Sequence, residues 1–417
     1  MCAEITHPIL RYCRVKAVKK IWALSILAGL TAASTARAQD LPVAKSAPND
    51  NLQACIVMGV GFWALPGTDT CLRVSGEVRA DYVLTEPQTP TTDRTTFLTR
   101  AQIGFDARTA TDYGLLRSYI LLDAYVQPGS ASSLVVDKAY LQFGGLTGGY
   151  AHSFFGIYDL DYANDLEQPY FGYAGTTNLL AYTQPIVGGL SATLSVEDAA
   201  HTRSSLFNES SPFNAAPAGG VQAPDVVGNL RLDGDWGEAA AFGAFHQVRY
   251  PGQEITGPDV KGSDYGFAAG AGLGVNLPVL AGAHVAVEGT YAKGASTYLG
   301  WQQLDAAFDG STGMTDLGHG WTGTGEIGVN LTPRLAVNLL GSYIDYKAAN
   351  TDNFLDPETP DIRAWVAGGN ATYTVTRGFS VGAEVFYSRY TGKTDYFFED
   401  TVKTEGWTGT LRVRRSF

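Results

Sequence analysis

The chain has 417 residues, of which 29 are basic and 41 acidic, for a formal net charge of −12 with histidine neutral. An acidic balance argues against nucleic acid as a partner, because phosphate binding needs a basic footprint. Only 17% of the residues are charged, while glycine (49) and tyrosine (22) are abundant, a mixture unlike that of a charge-rich disordered chain.

The first element is a leader. Arg14, Lys16, Lys19 and Lys20 precede an apolar run over 21–32, and small residues then end in Ala36-Arg37-Ala38. A charged start, a short apolar core and an A-x-A site mark a secretory signal peptide over 1–38, cut before Gln39. The run is too short to span a bilayer. Cleavage removes Arg11, Arg14, Lys16, Lys19, Lys20 and Arg37 but only Glu4 among acids, leaving 23 basic and 40 acidic groups, a net of −17. Cys2 and Cys13 leave with it. Cys55 and Cys71 remain, and two cysteines in an exported chain point to a disulfide in the oxidising periplasm. The residues His152, His201, His246, His284 and His319 are scattered, with no cysteine or histidine at ligand spacing, so neither a metal site nor a cofactor is implied.

From Leu72 onward, segments of about ten residues alternate apolar and polar, the period of a strand. Leu72, Val74, Gly76, Val78, Ala80 and Tyr82 share one face; Arg73, Ser75, Glu77, Arg79 and Asp81 share the other. Phe97, Thr99, Ala101, Ile103 and Phe105 alternate with Arg100, Gln102, Asp106 and Arg108. The pattern returns at 115–126, 134–143, 190–198, 226–233, 238–249, 265–276, 283–291, 321–330, 335–346, 364–375 and 379–390, more weakly at 146–151 and 179–184, and last at 407–417. That makes about sixteen strands. Short turn signals at 144–145, 235–237, 332–334 and 376–378 alternate with long polar stretches at 85–95, 199–224, 250–262, 293–318, 347–361 and 391–404. Short turns at one end and long loops at the other is the asymmetry of an outer-membrane barrel, and strands of this length match a tilted crossing of the hydrocarbon. Alone, the closing stretch from Trp407 to Phe417 reads equally as an edge strand of a soluble sheet; the leader decides for the membrane.

The expected fold is therefore all-β, a transmembrane antiparallel barrel over 72–417 preceded by a periplasmic segment over 39–71. A barrel of this size encloses an aqueous lumen. Arginine facing lipid at mid-bilayer costs roughly 2–4 kcal/mol, so Arg73, Arg79, Arg100, Arg231 and Arg412 should face the lumen. Gly323-Thr-Gly-Glu-Ile-Gly328 fits a dinucleotide fingerprint in letters only, because it lies inside an alternating segment rather than between a strand and a helix. No nucleophile elbow or phosphate-binding loop is present, so an enzyme is not expected.

These residues resemble the general porins of alphaproteobacteria, the group that includes the Brucella and Rhizobium porins. The strongest match is Gly59-Val-Gly-Phe-Trp-Ala-Leu-Pro-Gly-Thr-Asp-Thr-Cys71-Leu-Arg-Val-Ser-Gly76-Glu-Val-Arg79 with Cys55 upstream. It is followed in order by Ala139-Tyr-Leu-Gln-Phe-Gly-Gly-Leu-Thr, Ser153-Phe-Phe155, Pro224-Asp-Val-Val, Trp236-Gly237, Tyr291-Ala-Lys-Gly-Ala295 and the strand ending in Phe417. The resemblance implies a sixteen-stranded homotrimeric channel whose third external loop, roughly 152–178, folds into the lumen. That loop would bring Asp159, Asp161, Asp165 and Glu167 opposite Arg73, Arg79, Arg100 and Arg117, a transverse field at the constriction. Family members often carry arginine before Ala151; here Tyr150 stands there, with His152 after it. With a net charge of −17, the expected ion preference is weakly for cations.

Passive diffusion of small hydrophilic solutes and ions is the first reading, with outer-membrane lipid and lipopolysaccharide around the barrel. A substrate-selective channel is the alternative, marked by an aromatic track for which Tyr150, Tyr158 and Tyr162 are candidates. A surface adhesin that uses the long loops is the third.

Overall fold

The computed structural model describes residues 54–417 apart from 87–92, 127–128, 130–131, 158–170, 174, 209–214, 217, 251–261, 310–312, 350–360 and 394–400. Sixteen strands form one closed sheet. They are β1 (Thr70–Glu86), β2 (Thr95–Thr111), β3 (Gly114–Val126), β4 (Ser133–Phe143), β5 (Leu146–His152), β6 (Thr176–Pro185), β7 (Leu190–Glu197) and β8 (Asp225–Gly234). The second half comprises β9 (Gly237–Arg249), β10 (Ser263–Asn276), β11 (His284–Lys293), β12 (His319–Thr332), β13 (Leu335–Lys347), β14 (Asp361–Thr376), β15 (Phe379–Lys393) and β16 (Thr401–Ser416). Each pairs antiparallel with its chain neighbours, and β16 returns to β1 in a register running from Glu77↔Ser416 to Glu86↔Trp407. Closure removes both sheet edges, which hydrocarbon could not satisfy.

Alternation sets the two faces. Val78, Phe97, Ile103, Leu180, Phe245, Leu339 and Leu411 are exposed on the outside, while Arg79, Asp81, Asp106, Asp123 and Arg412 are buried inside. Outward rings pair across strands near the long-loop end: Trp321 with Tyr343, Trp365 with Tyr387, Tyr387 with Trp407, and Tyr82 with Phe97, at centroid distances of 5.1, 5.2, 4.8 and 4.7 Å. Aromatic side chains at this depth form an interfacial girdle. Arg415 is also outward, and its Nη1 donates to the carbonyls of Arg377 (3.1 Å) and Ser416 (2.8 Å) at the short-turn rim. Those turns include Asp112–Tyr113, Gly144–Gly145, Asp235–Trp236, Pro333–Arg334 and Arg377–Gly378. Gly378 holds φ +71°, a left-handed conformation that a side chain would strain.

The largest cluster of buried apolar side chains lies inside the ring, not outside it. Phe155 and Ile157 of the third long loop and Tyr298 and Leu299 of the sixth pack with Val227, Phe242, Ala268, Ala286, Ile344 and Ile362 on the inner faces of β8–β14. The inner face of β16 and β1–β3 is instead polar. The fourth and sixth loops, expected as irregular polar stretches, also build a small sheet. Leu206–Asn208 pairs antiparallel with Ala215–Ala216 and parallel with Ala306–Phe308, and Ala306–Asp309 pairs with Gly313–Leu317. Strands of two to five residues are too short for an alternation to show in sequence, and their pairing joins segments about 100 positions apart.

Candidate channel lining and constriction

The lumen-facing arginines of β1–β3 and β16 form two tiers on one wall, while Arg231, on β8 of the facing wall, pairs with Asp233 (2.9 Å) and Glu238. In the tier near the short turns, Arg108 and Arg117 each reach both oxygens of Asp106. Arg117 donates at 3.0 and 3.1 Å and Arg108 at 3.1 and 2.9 Å, while Arg73 approaches Oδ2 at 3.5 Å. Arg117 also donates to Gln142 (3.0 Å) and lies 5.2 and 5.6 Å from the rings of Tyr119 and Tyr140. One carboxylate therefore serves three guanidinium groups, and cation–π contacts hold the excess charge in place.

The second tier lies about six residues along β1, or roughly 20 Å of strand. Arg412 donates to both oxygens of Asp81 at 2.5 and 3.3 Å, and Arg79 approaches Asp81 at 3.4 Å and Glu77 at 4.0 Å. Arg100 pairs with Asp123, which also accepts the Tyr125 hydroxyl at 3.1 Å. In register, Arg79 stands opposite Arg100 on one side and Arg414 on the other. Like charges so close are tolerated because carboxylates are threaded between them. Of the arginines assigned to the constriction from sequence, Arg79 and Arg100 lie in this tier and Arg73 and Arg117 in the other.

The third loop turns inward at both stems. Glu197 of β7 accepts the Phe154 N–H (3.2 Å), and Asn229 of β8 donates to the Phe154 carbonyl (2.7 Å). Glu288 of β11 accepts the Ile157 N–H at 2.8 Å. On the return, the Phe171 N–H donates to Ser342 of β13 (2.7 Å) and its carbonyl accepts from Thr324 of β12 (2.6 Å). Every anchor is an inner-face side chain, so the loop is fastened to the wall facing the arginines. Such polar residues in mid-strand could be marked as inward from alternation, but their loop partners could not be read without register. Asp159, Asp161, Asp165, Glu167, Tyr158 and Tyr162 lie outside the described residues. Tyr150 stands opposite Asn178 in the β5–β6 register, with its ring 6.2 Å from that of His201.

A third polar cluster fastens the fourth and sixth loops to the rim. Asp225 of β8 accepts from the hydroxyls of Thr202 (2.6 Å) and Tyr298 (2.8 Å) and lies 2.8 Å from Nδ1 of His246. Asp305, in the sixth loop, accepts the Ser296 N–H at 2.6 Å. Burial pushes the Asp305 carboxyl above the usual range, against the pull of His246 and its hydrogen bonds. Cys55 and Cys71 are joined, with Cα atoms 6.0 Å apart.

Residues 40–410 match the family described as the porin subfamily. The chain belongs to that family. It is similar to porin Omp2b of Brucella abortus (strain 2308) and of Brucella suis biovar 1 (strain 1330), each 26% identical over 417 residues, spanning 94% of this chain and 98% of the relative. Among solved structures, the outer membrane channel DcaP of Acinetobacter baumannii superposes with a TM-score of 0.64 at 16% identity, covering 84% of this porin and 97% of that chain. Outer-membrane expressed OmpT of Vibrio cholerae gives 0.52 at 11% identity over 85% and 99%. A closed barrel with an outward apolar band and a porin sequence places this porin in the outer membrane of a Gram-negative bacterium.

Proposed function

We propose that this porin passes small hydrophilic solutes and ions down their gradients as a homotrimer, and performs no chemistry on them. The observation that carries the reading is the third loop fastened inside the ring, opposite a polar arginine wall. A loop anchored there stands beside the diffusion path, and charge across the lumen orients dipolar solutes and disfavours apolar ones. A structurally similar outer membrane protein, OmpT of Vibrio cholerae, has been described in a trimer form, which supports the assembly. Residues 1–38 leave as a signal peptide, residues 39–69 precede the first strand at the periplasmic end, and lipid and lipopolysaccharide surround the barrel.

The proposed ion preference is weakly cationic. The arginine wall carries its own counter-charges in Asp81, Asp106 and Asp123. On the facing wall, Glu197 and Glu288 are held by main-chain N–H groups, with no basic side chain in ion-pair reach among the described residues. Conductance of the purified mature protein in a planar bilayer, recorded in a salt gradient, tests the reading. Regular steps in threes and a reversal potential favouring potassium are expected. A potential favouring chloride would overturn the ion preference. Silence from folded, heat-modifiable protein would overturn open diffusion and favour a closed, substrate-specific or adhesive barrel.

A further inference from the structure

The segment before β1 is not a passive lead-in. Trp63–Ala64 pairs antiparallel with β1 in the register Trp63↔Leu72 and Ala64↔Cys71. This is the edge of β1 that β16 leaves vacant, because β16 ends opposite Glu77 and Phe417 exchanges main-chain hydrogen bonds with Gly76 at 3.0 and 2.9 Å. The hairpin is closed by the Cys55–Cys71 bond and by the Cys55 N–H donating to the Phe62 carbonyl at 2.9 Å.

The turn that precedes it, closed by the Ala54↔Trp63 bridge, carries a second tip over 56–60 that lies on the inner face. Phe62 is 3% exposed, and its ring lies 5.0 Å from the Arg73 guanidinium and 4.6 Å from that of Arg108. Arg108 also donates to the Met58 carbonyl at 3.1 Å. Both arginines belong to the lumen-facing set around Asp106, so the tip is held on the lumen side of the wall. Yet Ile56, Val57 and Val60 at that tip are 82, 96 and 87% exposed. Three adjacent apolar side chains gain nothing from water, and a hairpin stapled at its base and clamped by two arginines keeps them there.

We propose that this hairpin is a second constriction, at the periplasmic exit and in series with the third loop. It sets an apolar lip beside the cluster of Arg73, Arg108 and Arg117, so a solute that clears the third loop meets a second selection before release. The inference rests on the porin reading, and its test separates the two. Val57→Lys and Val57→Glu change charge at a site that packs on nothing, so the barrel should fold in both. In planar bilayers at about 0.1 M salt, where charge acts over roughly 10 Å, the two variants should shift the reversal potential in opposite directions and rectify in opposite senses. At about 1 M, where the reach is roughly 3 Å, the difference should collapse. Phe62→Ala should raise conductance and open-channel noise by freeing the tip. A conducting wild type with Val57→Lys and Val57→Glu indistinguishable from it at low salt would overturn the second constriction and leave the porin intact. A silent wild type would remove both.

Discussion

Replacing Asp81 with asparagine should cost the barrel more stability than almost any other single change to its wall. The Asp81 side chain is 1% exposed and sits at the seam between β1 and β16, directly opposite Arg412, with Arg79 on its other side. The carboxylate holds two guanidinium groups, one bidentate at 2.5 and 3.3 Å. Asparagine keeps the shape and one acceptor but removes the charge, leaving Arg412 and Arg79 to repel each other and Arg100 and Arg414 beside them. Removing one partner of a buried pair costs about 3–5 kcal/mol, roughly two to three and a half powers of ten in the folding equilibrium. The denaturant midpoint of detergent-folded protein, read by tryptophan fluorescence and by the heat-modifiable band shift, measures this. Asp81→Leu combined with Arg412→Met should recover only the Arg412 share of the loss, since Arg79 still lacks its carboxylate partner. An Asp81→Asn protein within about 0.5 kcal/mol of wild type would refute the reasoning, and would mean that lumen water already solvates the pair.

Three further outcomes follow from other contacts. Asn229→Ala removes the donor to the Phe154 carbonyl and should cost about 1 kcal/mol while raising open-channel noise, recorded in single channels. Cys55→Ser should lower the stability read from the denaturation midpoint by roughly 3 kcal/mol for so short a loop, yet change conductance less, because Phe62 and Arg108 still hold the hairpin. Asp305 binds its proton more tightly folded than unfolded, so its contribution to docking the sixth loop is present at low pH and lost as pH rises from the usual carboxylate range through its raised folded value. Asp305→Asn should therefore protect the small external sheet from proteolysis at neutral pH and flatten that pH dependence.

The sequence carried the wall and little of what stands inside it. A period of two marks which side of each strand meets lipid, so Arg73, Arg79, Arg100 and Arg412 could be turned inward by the cost of the alternative alone. The same face also held Asp81 and Asp106, but which arginine meets which carboxylate depends on register, and a shift of two residues preserves the alternation while exchanging every partner. The interior packing was less legible still. Phe155, Tyr298 and Ile344 are apolar side chains from two loops and a strand, and nothing local distinguishes them from interfacial residues. Phe62 lay inside the motif that best matched the family, yet its place under two arginines follows from β16 ending seven residues beyond the start of β1, a matter of stagger that no single strand records.

That stagger also governs when the ring can exist. Arg412 and Asp81 are 331 positions apart in sequence, and Phe417 bonds to Gly76 across a similar span. A β-carbon on Gly76 would come within 2.7 Å of the Phe417 ring, so the two ends fit only one way. Contacts this distant form slowly, because the chain between them must be ordered before they repay it. Until they form, β1 and β16 each present an open row of hydrogen-bonding groups to lipid. Insertion of this barrel should therefore be an all-or-none event that waits for its final eleven residues, and a chain shortened by that segment should be left at the membrane surface for proteolysis rather than as a leaky pore.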